Sequence, residues 1–170
     1  MEKLILLIFI ILFVDSVIVL ICKGYNQLVL LKNSVNSNYQ QLNKEVTFRF
    51  ELISKYLPIV EKYLSDNVKQ NINDLINSFK ITVAIPDVAD LYFRLNTSLL
   101  DVDKEVKSNN FSAPEWDKAF VESNERIEKL KKEYEDGVLT MNNTIKAPGL
   151  SIIAKIFGFT EWPFFIKTQS

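Results

Sequence analysis

Few side chains in this chain have the type and spacing that chemistry needs. Its 170 residues include no histidine and one cysteine, Cys22. That removes Cys/His and Ser/His nucleophile pairs, most transition-metal ligand sets and any intrachain disulfide. It also removes the Glu-x-x-His pairs of a di-iron carboxylate bundle. Carboxylate chemistry is left, and Glu51, two positions after Arg49, is its one candidate acid or base. Residues two apart on a helix do not face each other, so each must find a partner elsewhere, the acids and bases of the last helix being the natural choices. The other carboxylate series is Glu122, Glu125 and Glu128 in ESNERIEKLKKEYED. These stand four residues before Arg126, Lys129 and Lys132, a spacing that supports a solvated helix by a few tenths of a kcal/mol, roughly, for each pair. Such a face points outward and builds no pocket. The expectation is a protein without catalytic residues, cofactor or metal.

With 20 basic and 21 acidic residues the net charge is close to zero, which gives no general attraction to nucleic acid. One acid has an unusual setting. Asp15 lies inside Leu4–Cys22, LILLIFIILFVDSVIVLIC, an almost unbroken apolar run. About twenty apolar residues cross a hydrocarbon core of roughly 30 Å as a helix. A carboxylate near the middle costs about 2.5 to 3.5 kcal/mol, which the many aliphatics outweigh. Asp15 has two readings, a protonated outlier that the span tolerates, which leads, and an interhelical contact made with Ser16 beside it. The first alanine of the chain is Ala84, so no Ala-x-Ala-like cleavage site follows the run, and bulky Ile21 before Cys22 argues against a lipidated cysteine. The run reads as a retained anchor, 1–24 with a transmembrane helix at 4–22.

The elements that follow are helical. Leu28, Leu31, Val35, Tyr39, Leu42, Val46, Phe50, Ile53, Leu57, Val60 and Leu64 recur three or four apart, as one face of a long helix does. Pro58 should kink it. Ser65-Asp66-Asn67 suits a turn or an N-cap, and Val68 to Phe79 continue a stripe beyond it. A third stripe, Val88 to Val106, starts after Pro86. A fourth carries Trp116, Phe120, Ile127, Leu130, Tyr134, Val138, Met141 and Ile145, opened by a Ser112-x-x-Glu115 capping box and stopped by Pro148-Gly149. The pattern predicts an all-α fold: an N-terminal transmembrane helix followed by an elongated antiparallel up-and-down four-helix bundle over 25–147. The tail, 148–170, concentrates Phe157, Phe159, Trp162, Phe164 and Phe165. Three placements are open to these rings: packing on the bundle, which is the leading one, the membrane interface, or a partner.

On these residues the chain resembles the LemA family of bacterial single-pass membrane proteins, over nearly its whole length. Tyr25-Asn26-x-Leu28-Val29-x-Leu31-Lys32-Asn33-x-Val35 is similar to the family's YNxLVxLxNxV opening, and Arg49-x-Glu51-Leu52-Ile53 to its RxDLI stretch. Asn110-Phe111 resembles its NF. Glu125-Arg126-Ile127 with Tyr134 and Val138 resemble its ENRI helix, and Phe157-Gly158-Phe159 with Pro163-Phe164-Phe165 its closing aromatic motifs. Asn43, Ser54 and Glu135 depart from the family pattern. The resemblance implies a four-helix bundle behind an N-terminal anchor, with no enzymatic activity attached.

The expected function is non-enzymatic: a membrane-anchored bundle that scaffolds or binds partner proteins, or itself, at the cell envelope. Its partners would be the lipid bilayer and other proteins, not nucleic acid. Asp15, Arg49, Glu51, Glu125, Arg126, Tyr134, Phe157, Phe159, Phe164 and Phe165 are the candidate interaction or structural residues. The alternatives are an accessory or sensing component of an envelope protease or stress system, and a hydrolase with a carboxylate site. Basic residues flanking the run favour a cytoplasmic domain by about one charge under the positive-inside rule.

Overall fold

The computed structural model describes residues 1–167. The final three positions of the tail expected at 148–170 lie outside the described residues. The elements are α1 (Glu2–Val60), a 3-10 turn (Glu61–Tyr63), α2 (Asp66–Ile81), α3 (Ile85–Ser108), α4 (Pro114–Lys146) and α5 (Leu150–Ile156), with no strand among the described residues. The protein is an all-α helical bundle. The apolar run and the first amphipathic stripe belong to a single helix, α1. It is the one helix among the described residues long and apolar enough to cross a membrane. Every residue of 4–22 is exposed, whereas from Leu28 on the stripe is buried, fully or in part.

Helix ends follow from local chemistry. Pro58 sits in the last turn of α1, and the helix stops at Val60 instead of bending and continuing to Leu64. Proline removes one N–H and crowds the carbonyl four residues back, and so close to an end termination is the less costly response. Ser65 takes the N-cap position of α2, but its N–H and hydroxyl bind the Glu105 carboxylate of α3 at 2.7 and 2.8 Å. Helix α3 closes in a Schellman motif. Asn110, at φ 54°, supplies the left-handed residue, its N–H donates to Lys107 O, and the Phe111 N–H reaches Val106 O. The Phe111 ring then packs on Tyr63, 4.8 Å between centroids.

The capping box expected at α4 is not formed. Its first turn hangs on the Ala113 carbonyl, which accepts from Trp116 and Asp117 N–H. Pro114 fixes the first helical residue and pushes the one before it to an extended backbone, so Ala113 is the cap and Ser112 stands one position too early. At the other end Gly149, at φ 83°, turns the chain into α5.

The described residues form two compact units. One comprises Met1–Ser37 with Asp136–Trp162. In it Leu150 and Ile153 of α5 lie on Gly24, which has no side chain in their way. Tyr25 meets Phe157 and Phe159 at 4.8 and 5.9 Å. The other comprises Asn38–Glu135 with residues 163–167 of the tail. Here contacts of α1 with α4 run in opposite order, Asn38 to Glu133, Glu45 to Arg126 and Tyr56 to Trp116, so the two are antiparallel. Ser65 to Glu105 and Asn71 to Ser98 set α2 against α3 in the same way. Phe50 and Phe79 stack at 3.9 Å, 8° from parallel, and join α1 to α2. The up-and-down order read from the stripes is thus present within this unit.

Candidate functional site

Arg49 lies three residues after Val46 and four before Ile53, so α1 carries it inward with its apolar face. It is 6% exposed. Its Nε donates to Asn96 Oδ1 on α3 and its Nη1 to the Phe120 carbonyl on α4, both at 3.0 Å. The guanidinium also lies 5.7 Å from the Phe120 ring centroid. Both acceptors are neutral. The acids or bases of the last helix expected as partners are replaced by an amide of α3 and a backbone carbonyl of α4, because a buried fork reaches the groups its neighbours bury with it. Loss of hydration pulls the Arg49 pKa below the usual guanidinium range.

Arg49 is the most buried polar residue lining a cleft of about 770 Å³ in this unit. Apolar walls come from Phe93, Leu100 and Val102 of α3 and Phe120 and Val121 of α4. Asn96 and Asn124 add amides. Asp103, held by Lys107 at 2.7 Å, and Asp117 bring negative charge, and Lys167 of the tail brings positive charge. Beside the cleft, the buried Tyr92 hydroxyl lies 3.3 Å from Asn124 Oδ1 and 3.4 Å from Glu128 Oε1. Burial is the main reason that its pKa is raised. Such a cleft can hold a small ligand with an anionic end and an apolar body.

The remaining sequence candidates scatter. Glu51 is exposed, so Arg49 and Glu51 share no site. Asp15 is exposed on α1, and the neighbouring Ser16 hydroxyl donates to Leu12 O at 2.8 Å within the same helix. Glu125 is exposed. Arg126 turns to Glu45 of α1, with Nε and Nη2 both 2.8 Å from Oε1, and stacks over Phe48. The three expected pairs on α4 are therefore not made. Glu122 pairs with Lys118, Lys129 with Glu133, and Glu128 with Lys131. A half-shielded acid on a packed neighbour outcompetes a solvated pair worth only a few tenths of a kcal/mol, roughly.

The tail is clasped at two points, one in each unit. Asn142 donates through Nδ2 to the Trp162 carbonyl and accepts from the Trp162 N–H, both at 2.9 Å, while Lys146 pairs with Glu161. In the other unit the buried Tyr134 hydroxyl donates to the Pro163 carbonyl at 2.6 Å. Burial raises its pKa strongly. Phe165, fully buried, then sits 5.9 Å from the Tyr92 ring and 6.3 Å from Phe93. Phe164 and Phe157 remain exposed and Phe159 half-buried.

Asn96, Asn124, Tyr92 and Asn142 are not among the candidate residues read from the sequence. A signal was there: Tyr92 is four after Val88 and three before Leu95, and Asn142 four after Val138 and three before Ile145, so each stands where the stripe calls for an apolar residue. Among the described residues no group of three or more Cys, Asp or Glu is placed to hold a metal ion.

Fold and site together define a class: an all-α bundle with one helix able to cross a membrane and a cleft built around a buried arginine. Comparison with protein-family models and with curated proteins gives no match.

Proposed function

We propose that this is a membrane-anchored helical-bundle protein of the LemA type, which scaffolds or binds partner proteins at the cell envelope without catalysing a reaction. The observation that carries the reading is α1. Its apolar stretch at 4–22 is exposed along its length, yet the same helix supplies buried core residues from Leu28 onward. In water, nineteen exposed and mostly apolar positions would be an aggregation hazard; in a bilayer they are a span. Tyr25 and the exposed Phe157, in contact just after the run, suit the amphipathic environment of a membrane interface. The motifs YNQLVLLKNSV and PFF support the family reading. The non-catalytic part rests on Arg49 turning inward while Glu51 turns to solvent.

The test is carbonate extraction of membranes that carry the full chain, followed by crosslinking in the membrane and identification of what is captured. The expected result is retention in the pellet with crosslinked partner proteins or homo-oligomers. Release by carbonate refutes the anchor, and retention with neither kind of crosslink refutes the scaffold. The positive-inside count favours the cytoplasmic side for the domain by about one charge; labelling a cysteine introduced into the bundle from either side of sealed vesicles checks this.

A further inference from the structure

The cleft in the unit formed by Asn38–Glu135 and residues 163–167 of the tail contains a charge that the fold leaves without a counter-ion. We propose that this cleft binds a singly charged carboxylate carried on an apolar chain, as in a medium-chain fatty acid, with the carboxylate on Arg49 and the chain along Phe93, Leu100, Phe120 and Val121.

The donor side fits. Guanidinium offers five N–H groups in a planar fork. Two are spent on Asn96 and the Phe120 carbonyl. Nη2 makes neither of these bonds and is not sealed from solvent, and Arg49 lines the cleft. Arg49 pairs with no carboxylate among the described residues. A carboxylate supplied from outside would make charge-assisted bonds, which are about twice as strong as neutral ones, and would offset part of the cost of burying the cation.

The walls set the rest of the ligand. At about 770 Å³ the cleft falls in the range of roughly 300 to 1,000 Å³ found for small-molecule sites. Val121 and Leu100 are exposed at 57% and 70%, so an apolar chain laid there would remove hydrocarbon from water. Charge count favours a monoanion. Arg49, Lys107 and Lys167 against Asp103 and Asp117 leave the cleft one net positive charge, which a single carboxylate balances and a phosphate dianion overshoots. A purely structural Arg49 accounts for the two bonds that join α1 to α3 and α4. It does not account for the apolar, solvent-open walls of the cleft that Arg49 lines.

The test uses the ¹⁵N-labelled full chain in lipid nanodiscs titrated with octanoate, neutral octanamide or octyl phosphate, reading the Arg49 Nε–H resonance and Trp116 fluorescence. Octanoate should saturate both signals and bind at least about tenfold more tightly than octanamide, a difference of about 1.4 kcal/mol. Val121→Trp, which fills the cleft without touching the Arg49 bonds, should weaken octanoate by a similar factor, and Arg49→Lys should weaken it while the fold is kept. Octanamide binding as tightly as octanoate, no saturation with octanoate, or no effect of Val121→Trp would each overturn the proposal. Tighter binding of octyl phosphate above its second ionisation would overturn the choice of a single charge.

Discussion

Phe165 and Tyr134 should act as one clasp, so their loss should be strongly non-additive. The Phe165 ring is fully buried against Tyr92 and Phe93, and the Tyr134 hydroxyl holds the Pro163 carbonyl two residues earlier. Taken alone, Phe165→Ala removes a buried aromatic, worth about 3 to 5 kcal/mol in a closed core. Tyr134→Phe keeps the ring near Tyr39 and deletes one hydrogen bond to the carbonyl of exposed Pro163, where water can replace the donor, about 0.5 to 1.5 kcal/mol. The tail has a way to limit both losses, because once its contacts cost more than its docking energy it can leave the bundle. Phe165→Ala should therefore cost less than a closed core would, about 2 to 3 kcal/mol. In that background Tyr134→Phe should cost much less than it does alone, giving a coupling within the range of about 0.5 to 3 kcal/mol seen for residues in one network. The assay is urea unfolding of the full chain in nanodiscs, followed by near-ultraviolet circular dichroism and tryptophan fluorescence for the two single variants and the double. Two costs that add within about 0.5 kcal/mol would show that the two residues hold the tail independently, and the reasoning would fail.

Two further outcomes follow from the same contacts. Burial raises the phenol pKa values of Tyr39, Tyr92 and Tyr134 above the ordinary value near 10. The unfolded chain then loses these protons first as pH rises, so the folded chain binds more protons above about pH 10 and stability falls there, by up to about 1.4 kcal/mol per pH unit for each phenol. Tyr134→Phe should make the alkaline decline shallower in a pH series of urea midpoints; an unchanged slope would count against the buried phenol. In the other unit, a Cβ on Gly24 would run into Ile153 Cδ1 and come within 2.9 Å of Leu150 Cδ2. Since both are side-chain ends that can move, Gly24→Ala should be mild, whereas Gly24→Leu should lift α5 and speed hydrogen exchange of its amides by about tenfold or more. Exchange unchanged in Gly24→Leu would mean that α5 is not held there.

The helices were legible because amphipathic spacing states which face must be covered, and it does so without reference to the partner. The Leu28 to Val60 stripe is buried, fully or in part, in the structure, and the polar cluster at Ser65 marks the break before α2. Details that depend on a neighbour were not legible. Ser65 bonds across to Glu105 rather than to its own helix, and Arg126 leaves an ideal i,i+4 acid for Glu45 on α1. Both choices belong to the packed pair, and no single-helix rule contains the second helix. The same holds for the missing box at α4, where a correct motif was shifted one residue by the restriction that Pro114 places on Ala113.

Polar residues within a stripe are the more instructive case. Arg49, Tyr92, Ser123 and Asn142 each stand where 3.6-residue periodicity demands an apolar side chain, and all four are buried. An unpaired buried polar group costs on the order of 1 to 3 kcal/mol, and Ser123, whose Oγ has no hydrogen-bond partner among the described residues, carries that cost. Asn142 is fully accounted for by its two bonds to Trp162, and Tyr92 lies within reach of Asn124 and Glu128. Arg49 is different. Two neutral acceptors satisfy its geometry but leave its charge uncompensated, and an arginine kept only to tie three helices together could be replaced by a neutral donor such as glutamine at lower desolvation cost. The Phe120 ring, 5.7 Å from the guanidinium, uses part of that charge, and an anion entering the open cleft would use the rest.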